Sequence, residues 1–72
     1  MKETNLKKCC NILLEIEKIK EETNNIYIIS ILNDIFYNIS KLLYLYKHNI
    51  DIKAIEIEQK RLDKIIKELK GV

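Results

Sequence analysis

The sequence contains no proline and no tryptophan, and its only glycine is Gly71, next to the last residue. Because proline and glycine interrupt helices more strongly than other residues, a chain without them in its interior is predicted to be all-α. Its two cysteines, Cys9 and Cys10, are adjacent and would point about 100° apart on a helix, so they cannot readily bond to each other. We therefore expect no disulfide framework and a reducing, cytoplasmic location.

The composition also offers little for metal or cofactor chemistry. Cys9, Cys10 and His48 are the only soft-metal ligands in the sequence, whereas a zinc site needs three or four ligands at suitable spacing. We therefore predict no metal, no cofactor and no catalytic residue. We also expect no signal peptide, because the N-terminus is polar through Lys8.

What the chain does contain fits one small helical domain over residues 1–72. Apolar residues make up 47% of the sequence, which is ordinary for a globular protein. A domain of this length buries only a modest core, and such domains often gain stability by associating. The formal net charge of +2 is too small to indicate a nucleic-acid partner by itself.

Apolar residues at helical spacing predict three helices, over residues 5–23, 26–48 and 52–70. Thr4 or Asn5 is expected to cap the first helix at its N-terminus. Asp51 is a suitable N-cap for the third helix, and Gly71 fits the C′ position that follows it. The predicted fold is an antiparallel three-helix bundle with coiled-coil-like packing and the second helix in the middle.

The boundary between the first two helices depends on the pair Asn24-Asn25. Asparagine tolerates the left-handed conformation that ends a helix, and it also caps the helix that follows. If this pair does not break the helix, the chain forms one helix of about forty residues and a shorter one. That alternative is a long helical hairpin that must dimerise to cover its apolar faces.

The second predicted helix has one broad apolar side, formed by Ile28, Ile29, Ile31, Leu32, Ile35, Phe36, Ile39, Leu42, Leu43 and Tyr46. This side is wide enough to contact two other helices. The segment is also long enough to cross a bilayer, but Asp34 and Lys41 lie within it. Each charge near the bilayer centre costs about 2.5–3.5 kcal/mol, so we predict no membrane span.

The opposite side of the second helix carries Tyr37 and Tyr44, one heptad apart, among short polar residues. A solvated face needs no tyrosine, whereas protein-binding faces often combine tyrosine with asparagine and serine. We predict a partner-binding face formed by Tyr27, Asn33, Asp34, Tyr37, Lys41, Tyr44 and Leu45. In the alternative, the tyrosines lie flat over the edges of the other two helices with their hydroxyls in water. Leu14 and Ile57, on polar faces of those helices, also suggest an interface.

Glu58 interrupts the apolar stripe of the third helix. We expect its side chain to bend out to solvent near the start of that helix, where the dipole favours a negative charge. The alternative is a polar contact across a bundle or dimer seam, which would fix the register of the packed helices.

The outer face of the third helix carries charges of both signs. It offers three ion pairs at i,i+4 spacing, each worth about 0.2–0.5 kcal/mol: Glu56–Lys60, Asp63–Lys67 and Lys64–Glu68. It also carries a row of Lys53, Lys60 and Lys67, with Arg61 and Lys64 near it, that could contact phosphates. Because carboxylates lie among these lysines, we predict no more than weak nucleic-acid binding.

One segment, Gln59-Lys60-Arg61-Leu62-Asp63-Lys64-Ile65-Ile66, is similar to the S-Q-x-L-D-x-L-I signature of the small sporulation-regulating aspartyl-phosphate phosphatases of Bacillus and Clostridium. Leu62, Asp63, Ile65 and Ile66 match the signature. Gln59 and Lys60 replace its serine and glutamine, which are the residues that would carry the activity. The resemblance implies a helical hairpin that acts on a phosphorylated response regulator.

These observations favour a non-enzymatic protein that binds another protein or itself, with a dimer expected. The most concrete interpretation is a regulator or inhibitor that occupies a partner's surface. The bias toward Ile, Lys and Asn suggests an AT-rich genome, such as that of a phage or mobile element whose product inhibits a host defence. The phosphatase is the first alternative, and a nucleic-acid-binding module is the second.

Overall fold

A computed structural model describes residues 2–46 and 50–71 and contains three helices. These are α1 (Lys2–Glu22), α2 (Ile26–Tyr46) and α3 (Ile52–Leu69). Each helix packs against the other two, and the described residues contain no strand. The prediction of an all-α three-helix bundle is confirmed, and the long-hairpin alternative is wrong.

The break between α1 and α2 is built from the side chains of the polar linker. The Asn25 carboxamide oxygen accepts hydrogen bonds from the N–H groups of Tyr27 (3.0 Å) and Ile28 (3.2 Å). The Thr23 hydroxyl oxygen accepts from the Asn25 N–H at 3.2 Å. Asn25 therefore satisfies two of the N–H groups that every helix start leaves without a partner inside the helix.

The capping of α3 is confirmed at both ends, whereas the cap predicted for α1 is wrong. Asp51 accepts a hydrogen bond from the Lys53 N–H at 2.9 Å, and Gly71 adopts the left-handed conformation with φ of 71°. α1 already begins at Lys2, so Thr4 and Asn5 lie inside it. The Asn5 carboxamide instead donates to the Ile50 carbonyl oxygen at 3.3 Å, which ties α1 to the segment before α3. The end predicted for α2 at residue 48 lies outside the described residues.

The core is almost entirely isoleucine and leucine from all three helices. Its fully buried members are Cys9, Ile12, Ile16, Leu32, Ile35, Ile39, Ile55 and Leu62. Burial, followed by the neighbouring Cys10, raises the pKa of the Cys9 thiol, which keeps it protonated as a small core side chain. The fully buried residues of α2, Leu32, Ile35 and Ile39, all belong to its predicted apolar side, which therefore faces the core. The side chain of Tyr46 lies outside the described residues.

α2 is also the one described helix that is long and apolar enough to cross a membrane, over Ile26–Leu45 with a mean hydropathy of 1.3. The central helix of a bundle meets the same criteria of length and composition, so they alone are weak support for a membrane span. In this fold the helix packs against both α1 and α3.

Candidate protein-binding face

The side of α2 that points away from α1 and α3 forms a continuous surface, which we call the outer face. By helical position it comprises Ile26, Tyr27, Ser30, Asn33, Asp34, Tyr37, Ser40, Lys41, Tyr44 and Leu45. The large side chains on this face are well exposed: 62% for Tyr37, 70% for Tyr44 and 61% for Leu45. The tyrosines therefore do not lie flat over the neighbouring helices.

The C-terminal half of the outer face contains an open hollow of about 360 Å³. Its lining residues are Tyr37, Ser40, Lys41, Tyr44 and Leu45, four of which were predicted from the sequence. The Lys41 ammonium group lies 5.2 Å from the centre of the Tyr37 ring, a distance at which a cation is attracted to the ring face. At an exposed site such a contact is worth about 0.5–1 kcal/mol.

Four of the residues that line the hollow have the spacing that receives a side chain from another helix. Tyr37, Ser40, Lys41 and Tyr44 are spaced i, i+3, i+4 and i+7, the diamond of four residues that receives one knob in coiled-coil packing. The floor is the small Ser40, and the walls are aromatic and aliphatic.

Tyr27 lies apart from this hollow. It is 75% exposed near the start of α2, about 15 Å along the helix axis from Tyr37. There it borders a smaller hollow of about 280 Å³ between α2 and α3, together with Arg61 and Lys64. Asn33 is exposed between these two regions. The structure therefore places the predicted residues on one face but does not gather them at one point.

Asp34 has a second role that its exposed position on the helix did not suggest. Its carboxylate accepts a hydrogen bond from the Arg61 guanidinium of α3 at 2.9 Å. This hydrogen bond is the main reason that the pKa of Arg61 is raised. Arg61 is thus turned toward α2 and is not part of the predicted lysine row.

Glu58 does not bend out to solvent as predicted, since it is only 8% exposed. One carboxylate oxygen accepts from the Arg61 guanidinium at 2.8 Å, and the other accepts from the Asn38 carboxamide at 3.2 Å. Both oxygens are therefore satisfied, which offsets the cost of burying the charge. The seam contact considered as the alternative is present between α2 and α3. The signal missed in the sequence was the single arginine three residues after Glu58.

Two further exposed apolar residues differ in their relation to the outer face. Ile57 is 59% exposed and lies one turn before Arg61, so it projects from the side of α3 that faces α2. Leu14 is 69% exposed and belongs to α1. By helical position Ile57 is therefore on the α2 side of α3, whereas Leu14 is a separate exposed residue on α1.

The exposed side of α3 carries its lysines without the ion pairs that were predicted for them. None of the three predicted i,i+4 ion pairs forms, since the ion pairs within 4.0 Å in the described part of the chain all involve Arg61. Asp63 instead accepts a hydrogen bond from the Gln59 carboxamide at 2.9 Å. An open hollow of about 440 Å³ beside Asp63 is bordered by Lys60, Lys64, Lys67 and Lys70. With four lysines and one carboxylate, the border of this hollow is net positive, and weak nucleic-acid binding stays a prediction.

By its fold and surface, the protein is a small three-helix bundle with an exposed aromatic face on α2. Among residues 2–46 and 50–71, no group of three or more His, Cys, Asp or Glu side chains is placed to hold a metal ion. No protein-family model, curated protein or solved structure matches the chain.

Proposed function

We propose that this protein is a small helical protein-binding module that acts as a regulator or inhibitor by occupying the surface of a partner protein. The observation that carries this proposal is the outer face of α2, where Tyr37, Tyr44 and Leu45 stay exposed although the chain has a complete core beneath them. Such a protein needs no catalytic residue, because covering a surface is itself the activity.

The energetics of the outer face support docking. A tyrosine that is two-thirds exposed still has roughly 100 Å² or more of surface to bury, worth about 2–3 kcal/mol at 25 cal/mol per Å². Tyr37 and Tyr44 lie one heptad apart, so a single partner element can cover both. Tyrosine is also a residue type that often dominates binding energy at protein interfaces.

The phosphatase alternative has less support. Asp63, which matches that family's signature, is exposed and bonded to Gln59, which stands where the signature has serine. The family fold is a hairpin, whereas this chain forms three helices. If Asp63 is a solvated residue, Asp63→Ala will change the free energy of unfolding by at most about 0.5 kcal/mol and leave function intact. Phosphatase activity on a response regulator that Asp63→Ala abolishes would support the alternative.

We further propose that the partner is a host protein targeted by a phage or mobile element. This part rests on the small size of the chain and its Ile-, Lys- and Asn-rich composition, which is typical of products of small AT-rich genomes.

A pull-down from an AT-rich bacterial lysate tests the proposal. The full chain should capture a protein that the double variant Tyr37→Ala/Tyr44→Ala does not. Leu14→Ala is the matched control, since it also removes an exposed apolar side chain but from α1, and it should capture normally. Circular dichroism should show equal helicity in all three proteins. A wild-type chain that is strictly monomeric and captures nothing would overturn the proposal, as would equal capture by the double variant.

A further inference from the structure

We propose that the partner of the outer face is a second copy of this chain, docked with its α2 antiparallel to the first. This inference rests on the proposed function, that the outer face docks a protein, and it assigns that face to a second copy instead of a host protein. Capture of a host protein by a monomer is the competing outcome of the test below. It follows from three observations: the spacing of residues along the face, the placement of its two charges, and its area.

The outer face repeats with the period of a coiled-coil seam. Its central residues are spaced 4, 3, 4, 3 and 4 apart, namely Ile26, Ser30, Asn33, Tyr37, Ser40 and Tyr44. In an antiparallel pair the layers match Tyr37 with Ser40 of the second copy and Tyr44 with Asn33 of the second copy. Each large ring then meets a small or short side chain, as close packing requires.

A parallel pair lacks this complementarity. Its layers would place Tyr37 against Tyr37 and Ser40 against Ser40, so that large rings collide in one layer and a gap opens in the next. The alternation of large and small residues along α2 therefore selects the antiparallel arrangement.

The two charged residues on the face select the same arrangement. Asp34 and Lys41 are seven residues apart and lie on the same flank of the seam. In an antiparallel pair, this flank of one helix lies beside the same flank of the second copy. Lys41 then approaches Asp34 of the second copy, and the two-fold symmetry repeats the pair. The Asp34 carboxylate is 58% exposed and uses one oxygen for Arg61, so it can accept a further hydrogen bond.

The area is sufficient for a dimer of modest affinity. In this register Tyr37, Tyr44 and Leu45 lie opposite α2 of the second copy and give roughly 400 Å² per copy, a total of about 800 Å² that fits a weak dimer. Ile26 and Tyr27 lie beyond the end of that helix and add nothing to this area. A second copy that covers the outer face removes these side chains from water without a different protein partner.

Sedimentation equilibrium of the full chain across micromolar concentrations tests this inference. The wild-type protein should dimerise, and Lys41→Asp should weaken dimerisation by roughly 10- to 100-fold, because each attractive pair becomes a repulsive one and symmetry doubles the effect. Lys18→Asp is the matched control, since it reverses an exposed charge on α1 and should dimerise as wild type. Ser40→Tyr should also weaken the dimer by placing two rings in one layer.

Mixing two variants tests the antiparallel orientation. Asp34→Lys and Lys41→Asp should each be largely monomeric, whereas their mixture should form a heterodimer in which every charge meets its opposite. A wild-type chain that stays monomeric at 100 µM (about the top of the micromolar range at which specific dimers form) overturns this inference. So does a wild-type dimer that Lys41→Asp leaves intact. A monomer that still captures another protein through Tyr37 and Tyr44 overturns the homodimer while the proposed function stands.

Discussion

Replacing Arg61 by methionine should destabilise the bundle more than any other change of a polar side chain on the α2–α3 seam. Methionine keeps most of the aliphatic stem but removes both hydrogen bonds, to Glu58 and to Asp34. The Glu58 carboxylate then stays buried with one remaining donor, the Asn38 carboxamide. An uncompensated buried charge is one of the few causes of large single-residue effects.

The magnitude follows from how much of the pair water can reach. Breaking a fully buried ion pair costs about 3–5 kcal/mol. The side chain of Glu58 is 10% exposed but that of Arg61 is 36% exposed, so the expected loss falls to about 1.5–3 kcal/mol once solvent screening is included. A domain of this size has a total stability of about 4–11 kcal/mol, so the loss is a substantial fraction of it.

Urea unfolding followed by circular dichroism measures this loss at neutral pH and one fixed protein concentration, since dimerisation would otherwise shift the midpoint. Arg61→Met should lower the midpoint by about 1–2 M. Asp34→Asn removes only the more exposed pair and should cost at most about 1 kcal/mol.

A double variant decides whether the buried charge is the cause. Glu58→Met added to Arg61→Met removes the stranded carboxylate and should restore stability to within about 1 kcal/mol of wild type. If the double variant is as unstable as Arg61→Met alone, lost packing and not the buried charge explains the effect. The reasoning also fails if Arg61→Met costs no more than Asp34→Asn.

Three further experiments test the core, the cap of α2 and the burial of Cys9. Leu32→Ala should leave a cavity beneath α2 and cost about 2–5 kcal/mol in the same urea experiment; a cost below 1 kcal/mol would mean that the site collapses or is not buried. Asn25→Ala should cost about 0.5–2 kcal/mol because it removes the N-cap of α2. Asn24→Ala, at the exposed neighbouring position, should cost little, and equal effects of the two changes would refute the capping argument. A thiol reagent should modify Cys10 alone in the native protein and both cysteines in denaturant, as measured by mass spectrometry. The reason is that Cys9 is buried and burial raises its pKa. Labelling of both cysteines in the native protein would contradict the core position of Cys9.

The helices could be predicted from the sequence because their signals are local. Asp51 and Gly71 act through groups within a few residues, and the apolar side of α2 repeats at the helical period. Glu58 could not be placed in the same way. Its burial depends on Asn38, twenty residues earlier, and on the direction in which Arg61 turns. Periodicity assigns a residue to a face, but it does not reveal which long side chain crosses a seam.

The same distinction between local and long-range signals applies to the candidate site. That Tyr37, Tyr44 and Leu45 would share an exposed face follows from spacing, and the structure places them there. Tyr27 precedes Tyr44 by 17 residues, so the helical rise places the two nearly five turns, about 25 Å, apart. The loss of the predicted ion pairs on α3 reflects the low energy of such pairs, since a nearby carboxamide competes successfully for Asp63.

The three-residue connection between α1 and α2 has a consequence for the order in which the chain folds. Contacts between these two helices are local along the chain, whereas α1 and α3 are separated by the whole of α2. Because local contacts form faster than distant ones, we expect α1 and α2 to pair before α3 docks. Until α3 docks, the apolar surface that Ile55 and Leu62 will cover is open to water, and the outer face of α2 is exposed as well. The paired helices therefore expose apolar side chains on two sides, and the docking rate of α3 sets how long this aggregation-prone state lasts.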